Sequence, residues 1–229
     1  MDFEHACFIS YRNGKKVKEK LTDDLLNTFV SQVYDALESE MKAYFDFEQL
    51  VFLDFECLKP GEFLIPVFSK ALCRSVAMIV VFTPNYFSHH KMFCASEFRG
   101  MVEIEENRNK LLATDGCDSI IITVVLRGEK YVPDYLKKRV FHDFSPFDLS
   151  QVEIKRHPEF NKKIREITEM IYSIYAKTLE ECNKKPVNLL SGCETFKIAD
   201  IENNDESQLV KKFIGDVVGI KMKAEYPQM

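Results

Sequence analysis

The sequence predicts a doubly wound α/β domain: a mainly parallel sheet between two layers of helices, followed by a short C-terminal extension. Three observations predict it. Apolar, strand-like runs alternate with stretches of helical periodicity up to about residue 179. Two of those runs, Val76–Phe82 and Ser119–Leu126, are apolar and β-branched almost throughout, as strands covered on both faces must be. The chain has 229 residues, 46% of them hydrophobic, which suffices for one core of ordinary size and argues against wholesale disorder.

Each element has its own signal. Ala6–Ser10 is a short apolar run that opens into polar Tyr11-Arg12-Asn13-Gly14, a first strand entering a loop. From Thr22 to Tyr44 the apolar residues Leu25, Leu26, Phe29, Val33, Leu37 and Met41 recur at helical spacing, with Thr22 or Asp23 as the cap. Leu50–Leu53 is a second strand, and the loop from Asp54 to Glu62 contains the turn signal Pro60-Gly61. A short helix over Glu62–Cys73 leads to the strand Val76–Phe82, which Thr83-Pro84-Asn85 stops. Met92–Glu106 reads as a helix, Ser119–Leu126 as a strand, Arg139–Phe144 as a short edge strand and His157–Leu179 as a long helix. This order has the flavodoxin-like form, in which ligands sit beyond the carboxyl ends of the strands. Tyr11–Gly14, Asp54–Glu62 and Thr83–Phe93 are therefore expected to share one crevice.

Composition excludes several functions. The formal net charge of −5 argues against non-specific nucleic-acid binding. The longest apolar run, Val76–Phe82, falls far short of the ~20 residues of a membrane helix. No basic-then-apolar leader opens the chain. Seven cysteines, none spaced Cys-x-x-Cys and most in apolar surroundings, predict a reduced cytoplasmic protein with buried thiols, neither a disulfide framework nor a zinc site. Cys94 reads as one of these packed thiols, and the adjacent His89-His90 as a solvated pair without further metal ligands at suitable spacing. No Gly-x-Gly-x-x-Gly follows the first strand and no Gly-x-Ser-x-Gly elbow occurs, which removes a conventional dinucleotide fold and a hydrolase elbow. A receiver domain would need an acidic cluster after the first strand and an acceptor Asp after the third, and Ser10-Tyr11-Arg12 and Thr83-Pro84-Asn85 supply neither.

One residue stands out chemically. At ~100° per residue, Phe93, Cys94, Phe98, Met101, Val102 and Ile104 cluster on one arc of the Met92–Glu106 helix, and Glu97 falls inside that arc. Ser96, Arg99, Glu103 and Glu106 lie opposite. A carboxylate among apolar groups is costly unless it has a partner or a task. Two readings stand: a capped or paired structural acid, and a catalytic one. Phe93 lies one turn before Glu97 on the same face, as a core ring or one that stacks on a ligand base. Arg12 has the forked donors to hold a phosphate or ribose.

Five boxes in order resemble the Toll/interleukin-1 receptor (TIR) domain family. They are Phe8-Ile9-Ser10-Tyr11-Arg12; Val51-Phe52-Leu53-Asp54 with Leu58-Lys59-Pro60-Gly61-Glu62; Ala71-Leu72-Cys73-Arg74-Ser75 with Val80 to Tyr86; Phe93-Cys94-Ala95-Ser96-Glu97; and Asp143-Phe144-Ser145-Pro146-Phe147. The resemblance covers residues 1–179 and leaves 180–229 as an extension. It implies a five-stranded parallel sheet. It places Glu97 on the catalytic glutamate of enzymatic members, Phe93 where those members usually carry Trp, and Lys59 at a position near the substrate, with Tyr11, Arg12 and Asn13 lining the site. Two functional classes follow from it. One is cleavage of NAD+ between nicotinamide and ribose, with NAD+ as substrate and no cofactor, often in bacterial anti-phage defence of the Thoeris type, where ADP-ribose or a cyclic isomer activates a separate effector. The other is a non-catalytic scaffold, adaptor or mimic of host signalling that acts through TIR–TIR self-association. Within the extension, Asn203–Ser207 is a polar break, and Leu209, Val210, Phe213, Ile214, Val217 and Val218 form a helical stripe that docks on the core or on a partner.

Overall fold

The computed structural model describes residues 3–12, 21–53, 64–88, 92–112, 119–139, 141–147, 153–190, 192–193, 195–199 and 204–218. The elements are β1 (His5–Tyr11), α1 (Leu21–Met41), β2 (Val51–Leu53), α2 (Leu64–Cys73), β3 (Ser75–Phe82), α3 (Phe93–Leu112), β4 (Ile121–Val125), α4 (Asp134–Lys137), β5 (Phe141–Asp143), α5 (Pro158–Lys184) and α6 (Asn204–Val218).

The five strands form one sheet in the order β2-β1-β3-β4-β5, and every pairing is parallel. This is the flavodoxin-like order, with the reversal of winding direction between β1 and β3. Every residue of β1, β3 and β4 is buried, which explains their largely apolar character. The two first crossovers run in opposite directions across the sheet. Right-handed connections therefore put α1 and α2 on opposite faces. Helix α1 packs with α5, and α2 packs with α3. On the α1/α5 side, Phe29, Phe144, Phe147 and Phe160 meet edge to face. Pro66 falls in the first turn of α2, where its missing N–H leaves no helical bond unmade.

The expected strands and helices are present, with shifted ends. The edge strand, Phe141–Asp143, is shorter than Arg139–Phe144, and Arg139 enters an ion pair described below. Helix α3 runs six residues past Glu106. Helix α6 starts at Asn204, inside the stretch expected to be a break, and its Ser207 is buried. The loop Asp54–Glu62 with Lys59, and Asn13 and His89-His90 lie outside the described residues, as do the side chains of Thr22 and Asp23, whose backbone falls within the first turn of α1 and not ahead of it.

The extension departs most from expectation. After α5 it passes to the α2/α3 face, where Cys193 forms a disulfide with Cys73 at the end of α2, 120 residues away. The reading of a reduced protein with buried thiols is corrected at this pair: Cys73 and Cys193 are joined, and Cys7, Cys94 and Cys182 are thiols outside any disulfide. No local spacing could reveal this pair, since the two meet only because the extension folds back. Beyond the disulfide, the Ile198 amide donates to Ser69 Oγ at 2.9 Å and Ser96 Oγ donates to the Ala199 carbonyl at 2.7 Å. Ser96, expected on the polar side of its helix, is therefore buried under the extension. Gly100 makes room for this: a Cβ there would sit 3.0 Å from Ile198 Cγ2. Val210 and Ile214 of α6 then pack on Met92 and Ala95 at the start of α3.

Closing so long a loop removes much entropy from the unfolded chain. Cys193→Ser is expected to lower stability by about 2–4 kcal/mol. Chemical denaturation without reductant measures that loss, and a non-reducing digest should yield a peptide pair joined through Cys73 and Cys193.

Candidate functional site

Helix α3 starts at the carboxyl end of the sheet and runs back toward the amino end. It thus carries Glu97 near the carboxyl ends of β1 and β3, where the winding order reverses. Glu97 is only 5% exposed. Its carboxylate Oε2 accepts a hydrogen bond of 2.5 Å from Ser10 Oγ, and Ser10 is the penultimate residue of β1. Ser10 Oγ in turn lies 2.7 Å from the hydroxyl of Tyr86, which stands in the turn leaving β3. Tyr86 is fully buried, and its hydroxyl lies 3.4 Å from the Cys94 carbonyl. Burial, together with the neighbouring Cys94 and the Glu97 charge, holds the Tyr86 phenol well above its ordinary pKa. Tyr86 is therefore a proton-bearing group at any physiological pH.

The other candidate residues divide. Tyr11 follows Ser10, is buried, and its carbonyl accepts from Cys94 Sγ at 3.3 Å, so β1 and α3 are joined twice. Arg12 comes directly after β1 and is half-buried. Phe93 directs its ring to Phe68 at 5.4 Å, edge to face, in a cluster with Phe8 and Phe52. Asn13 and Lys59 are among the residues outside the description. Ser10 and Tyr86 belong to two of the TIR-like boxes, and neither carries a role in the sequence reading. The available signal was a serine closing an otherwise apolar strand that is buried on both faces.

Two further charged residues fix the other end of α3. The Glu105 carboxylate receives both terminal nitrogens of Arg139, at 2.8 and 2.7 Å, and also the Ile120 amide at 2.9 Å and Ser119 Oγ at 2.7 Å. Burial opposes the Arg139 charge, but the hydrogen bonds and charge of Glu105 outweigh it and keep its pKa above the ordinary value. Arg108 is buried and donates to the carbonyls of Cys73, Ser75 and Val76 at 2.8, 3.0 and 3.1 Å. It thereby satisfies the end of α2 and the start of β3. Burial lowers its pKa to about 10, still far above neutrality.

Elsewhere on α3 a cleft of about 180 Å³ is lined by Ser96, Arg99, Gly100, Glu103, Lys197 and Leu209, among others. It lies on the side under the extension, and it is smaller than the several hundred Å³ that organic ligands usually occupy. Among the described residues, no three His, Cys, Asp or Glu side chains are grouped so as to hold a metal ion. No helix among them is long and apolar enough to cross a membrane.

With this geometry in hand, comparison with known proteins adds little. No family model matches the chain, and no curated protein matches it. Among solved structures, the chain is similar to the TIR domains in the activated Roq1 resistosome that directly recognises the pathogen effector XopQ, at 19% identity, covering 92% of this chain and 98% of that one, with a TM-score of 0.27. The class defined here, a doubly wound α/β domain with a buried acid at its switch point, rests on strand order and side-chain geometry.

The Glu105–Arg139 pair anchors the helix that bears Glu97. Arg139→Ala leaves a buried carboxylate without its guanidinium and is expected to cost about 3 kcal/mol in urea unfolding. The double variant Glu105→Gln with Arg139→Met should recover part of that loss, because no charge is then left buried and the amide oxygen still accepts from Ile120.

Proposed function

We propose that this protein cleaves the bond between nicotinamide and ribose in NAD+, with the ionised carboxylate of Glu97 as the catalytic group. The observation that carries the reading is the burial of Glu97 at the carboxyl ends of β1 and β3, where open α/β sheets bind ligands. The TIR-like order of sequence boxes supplies the substrate.

The chemistry suits one carboxylate. Nicotinamide is already a pyridinium in NAD+ and leaves neutral, so no strong general acid is needed. The ribose left behind gains oxocarbenium character, as in glycoside cleavage. A nearby anion in a poorly hydrated site stabilises that charge far more than it could in water. In this reading Arg12 and Asn13 hold phosphate or ribose oxygens, Tyr11 shapes the floor, and Lys59 contributes from the loop after β2. Phe93 supports the pocket wall through Phe68. Capture of the ribosyl cation by water gives ADP-ribose. Capture by an atom of the same molecule gives a cyclic isomer. As with bacterial TIR proteins of this kind, the product would serve as an immune signal to a separate effector, and TIR–TIR self-association would complete the site.

A second reading is a non-catalytic TIR–TIR scaffold. The packing of Phe93 against Phe68, at the position where enzymatic relatives carry Trp, is the observation that favours it. One experiment separates the two. Purified protein is incubated with NAD+ over a range of protein concentrations, and the products are resolved chromatographically. Wild type is expected to release nicotinamide, with specific activity rising with concentration. Glu97→Gln is expected to lose at least about 100-fold in turnover, a typical penalty for removing one preorganised electrostatic group, with an unchanged circular dichroism spectrum. Equal turnover in both proteins removes Glu97 from the mechanism, and none in either leaves the scaffold.

A further inference from the structure

We propose that Ser10 and Tyr86 are positioning residues for Glu97, acting as a directed two-hydroxyl chain that fixes the carboxylate for charge stabilisation. This rests on the reading of Glu97 given above and goes beyond it to the two hydroxyl residues behind the carboxylate.

The direction of the chain follows from proton counting. A serine hydroxyl has one proton to give. At 2.5 Å from Glu97 Oε2, Ser10 gives it to the carboxylate, which in its ionised form can only accept. Ser10 Oγ then faces the Tyr86 hydroxyl, 2.7 Å away, as an acceptor. Tyr86 must donate. It retains the proton to do so, because its burial and the adjacent negative charge both oppose ionisation. The order is therefore Tyr86 O–H to Ser10 Oγ, and Ser10 O–H to Glu97 Oε2.

Each link is held by something rigid. Ser10 sits in β1, an interior strand, paired with Val80 of β3, and is 1% exposed. Its side chain has a single torsion. Tyr86 is fixed by a turn in which its amide donates to the Thr83 carbonyl at 2.9 Å, and its ring packs edge to face on Phe87 at 4.8 Å. Glutamate has three side-chain torsions, and anchoring one carboxylate oxygen to a strand removes much of their freedom. A charge that must face a short-lived cation gains from being aimed beforehand, and an ångström of misplacement can cost up to about 100-fold in rate. Tyr86 polarises the Ser10 hydroxyl, so the anchor is stronger than serine alone would provide. Hydroxyl donors also hold the carboxylate without cancelling its charge.

The test uses steady-state kinetics of NAD+ cleavage on the full chain, each variant assayed well below its own melting temperature. Ser10→Ala is expected to lower kcat by roughly 10- to 100-fold, with KM changed less than about threefold. Ser10→Thr keeps the hydroxyl and should recover most of the lost turnover. Tyr86→Phe removes only the outer donor and should lower kcat by a smaller factor, again at constant KM; it also serves where Ser10→Ala folds poorly. A purely structural role predicts lower melting temperatures with kcat intact below them. Turnover by Ser10→Ala within twofold of wild type, a loss confined to KM, or equal losses in the Ala and Thr variants would overturn the positioning role while leaving Glu97 catalytic. No turnover by wild type would overturn the role together with the reading on which it rests.

Discussion

A carboxylate removed from water demands donors, and in this chain the demand is met across the junction between a helix and the sheet. The Ser10–Glu97 hydrogen bond ties α3 to the carboxyl end of β1. Eight residues later, Glu105 ties the same helix to the amino end of β4 through the Ile120 amide and Arg139. Eight helical residues rise about 12 Å. Ser10 is level with Val80, and Ile120 lies just before Ile121, the partner of Met78, so the two anchor points are about three strand residues apart, or about 10 Å. The helix and the sheet therefore match in length between two buried acids. Sliding α3 by one turn would strand both carboxylates at once, which fixes its register more firmly than apolar packing alone, where alternative fits are tolerated.

The face of α3 turned away from the sheet is not left to solvent. Met92, Ala95, Ser96 and Gly100 follow one another at helical spacing and meet the extension: Val210 and Ile214 on the first two, the Ala199 carbonyl on Ser96, and Ile198 against Gly100. The Cys73–Cys193 disulfide fastens the start of this covering segment to α2, the neighbour of α3. The helix that bears Glu97 is thus clamped between sheet and extension. Residues 186–218 contribute to the environment of α3 as directly as the elements of the first 179 residues do. Small side chains at 95, 96 and 100 permit the close approach, and each larger residue there would push the extension off.

What the sequence made legible follows from this layering. Strands buried on both faces must be apolar throughout, so β3 and β4 announced themselves, and the periodic stripes of α1 and α5 did the same for their helices. Glu97 was legible because a single charge inside an apolar arc is visible from spacing alone. Its partners were not, because Ser10 and Tyr86 lie 87 and 11 residues away and only the fold brings them together. Ser96 was misplaced for a related reason: a periodicity argument assumes one buried face, and α3 has two. The Glu105–Arg139 pair was missed because each residue alone resembles a solvated charge. The disulfide was missed because cysteine spacing informs only when partners are near in sequence, and these are 120 residues apart.

The two buried glutamates of α3 offer an internal comparison of what burial is for. Glu105 receives a forked guanidinium, a backbone amide and a serine hydroxyl, and the guanidinium matches the carboxylate charge for charge. Such a pair is self-contained and has little field left to offer a ligand. The Ser10 contact on Glu97 is of another kind. A neutral hydroxyl backed by a neutral phenol stabilises the anion by dipoles and leaves the charge itself in place. Dipoles that hold a charge in a fixed direction are the arrangement through which a protein stabilises a cation formed nearby, and their orientation is set when the chain folds, before the substrate arrives. The contrast lies within one helix, at nearly equal burial: the joint at Glu105 is closed by a full counter-charge, and the contact from Ser10 to Glu97 is made by a hydroxyl dipole.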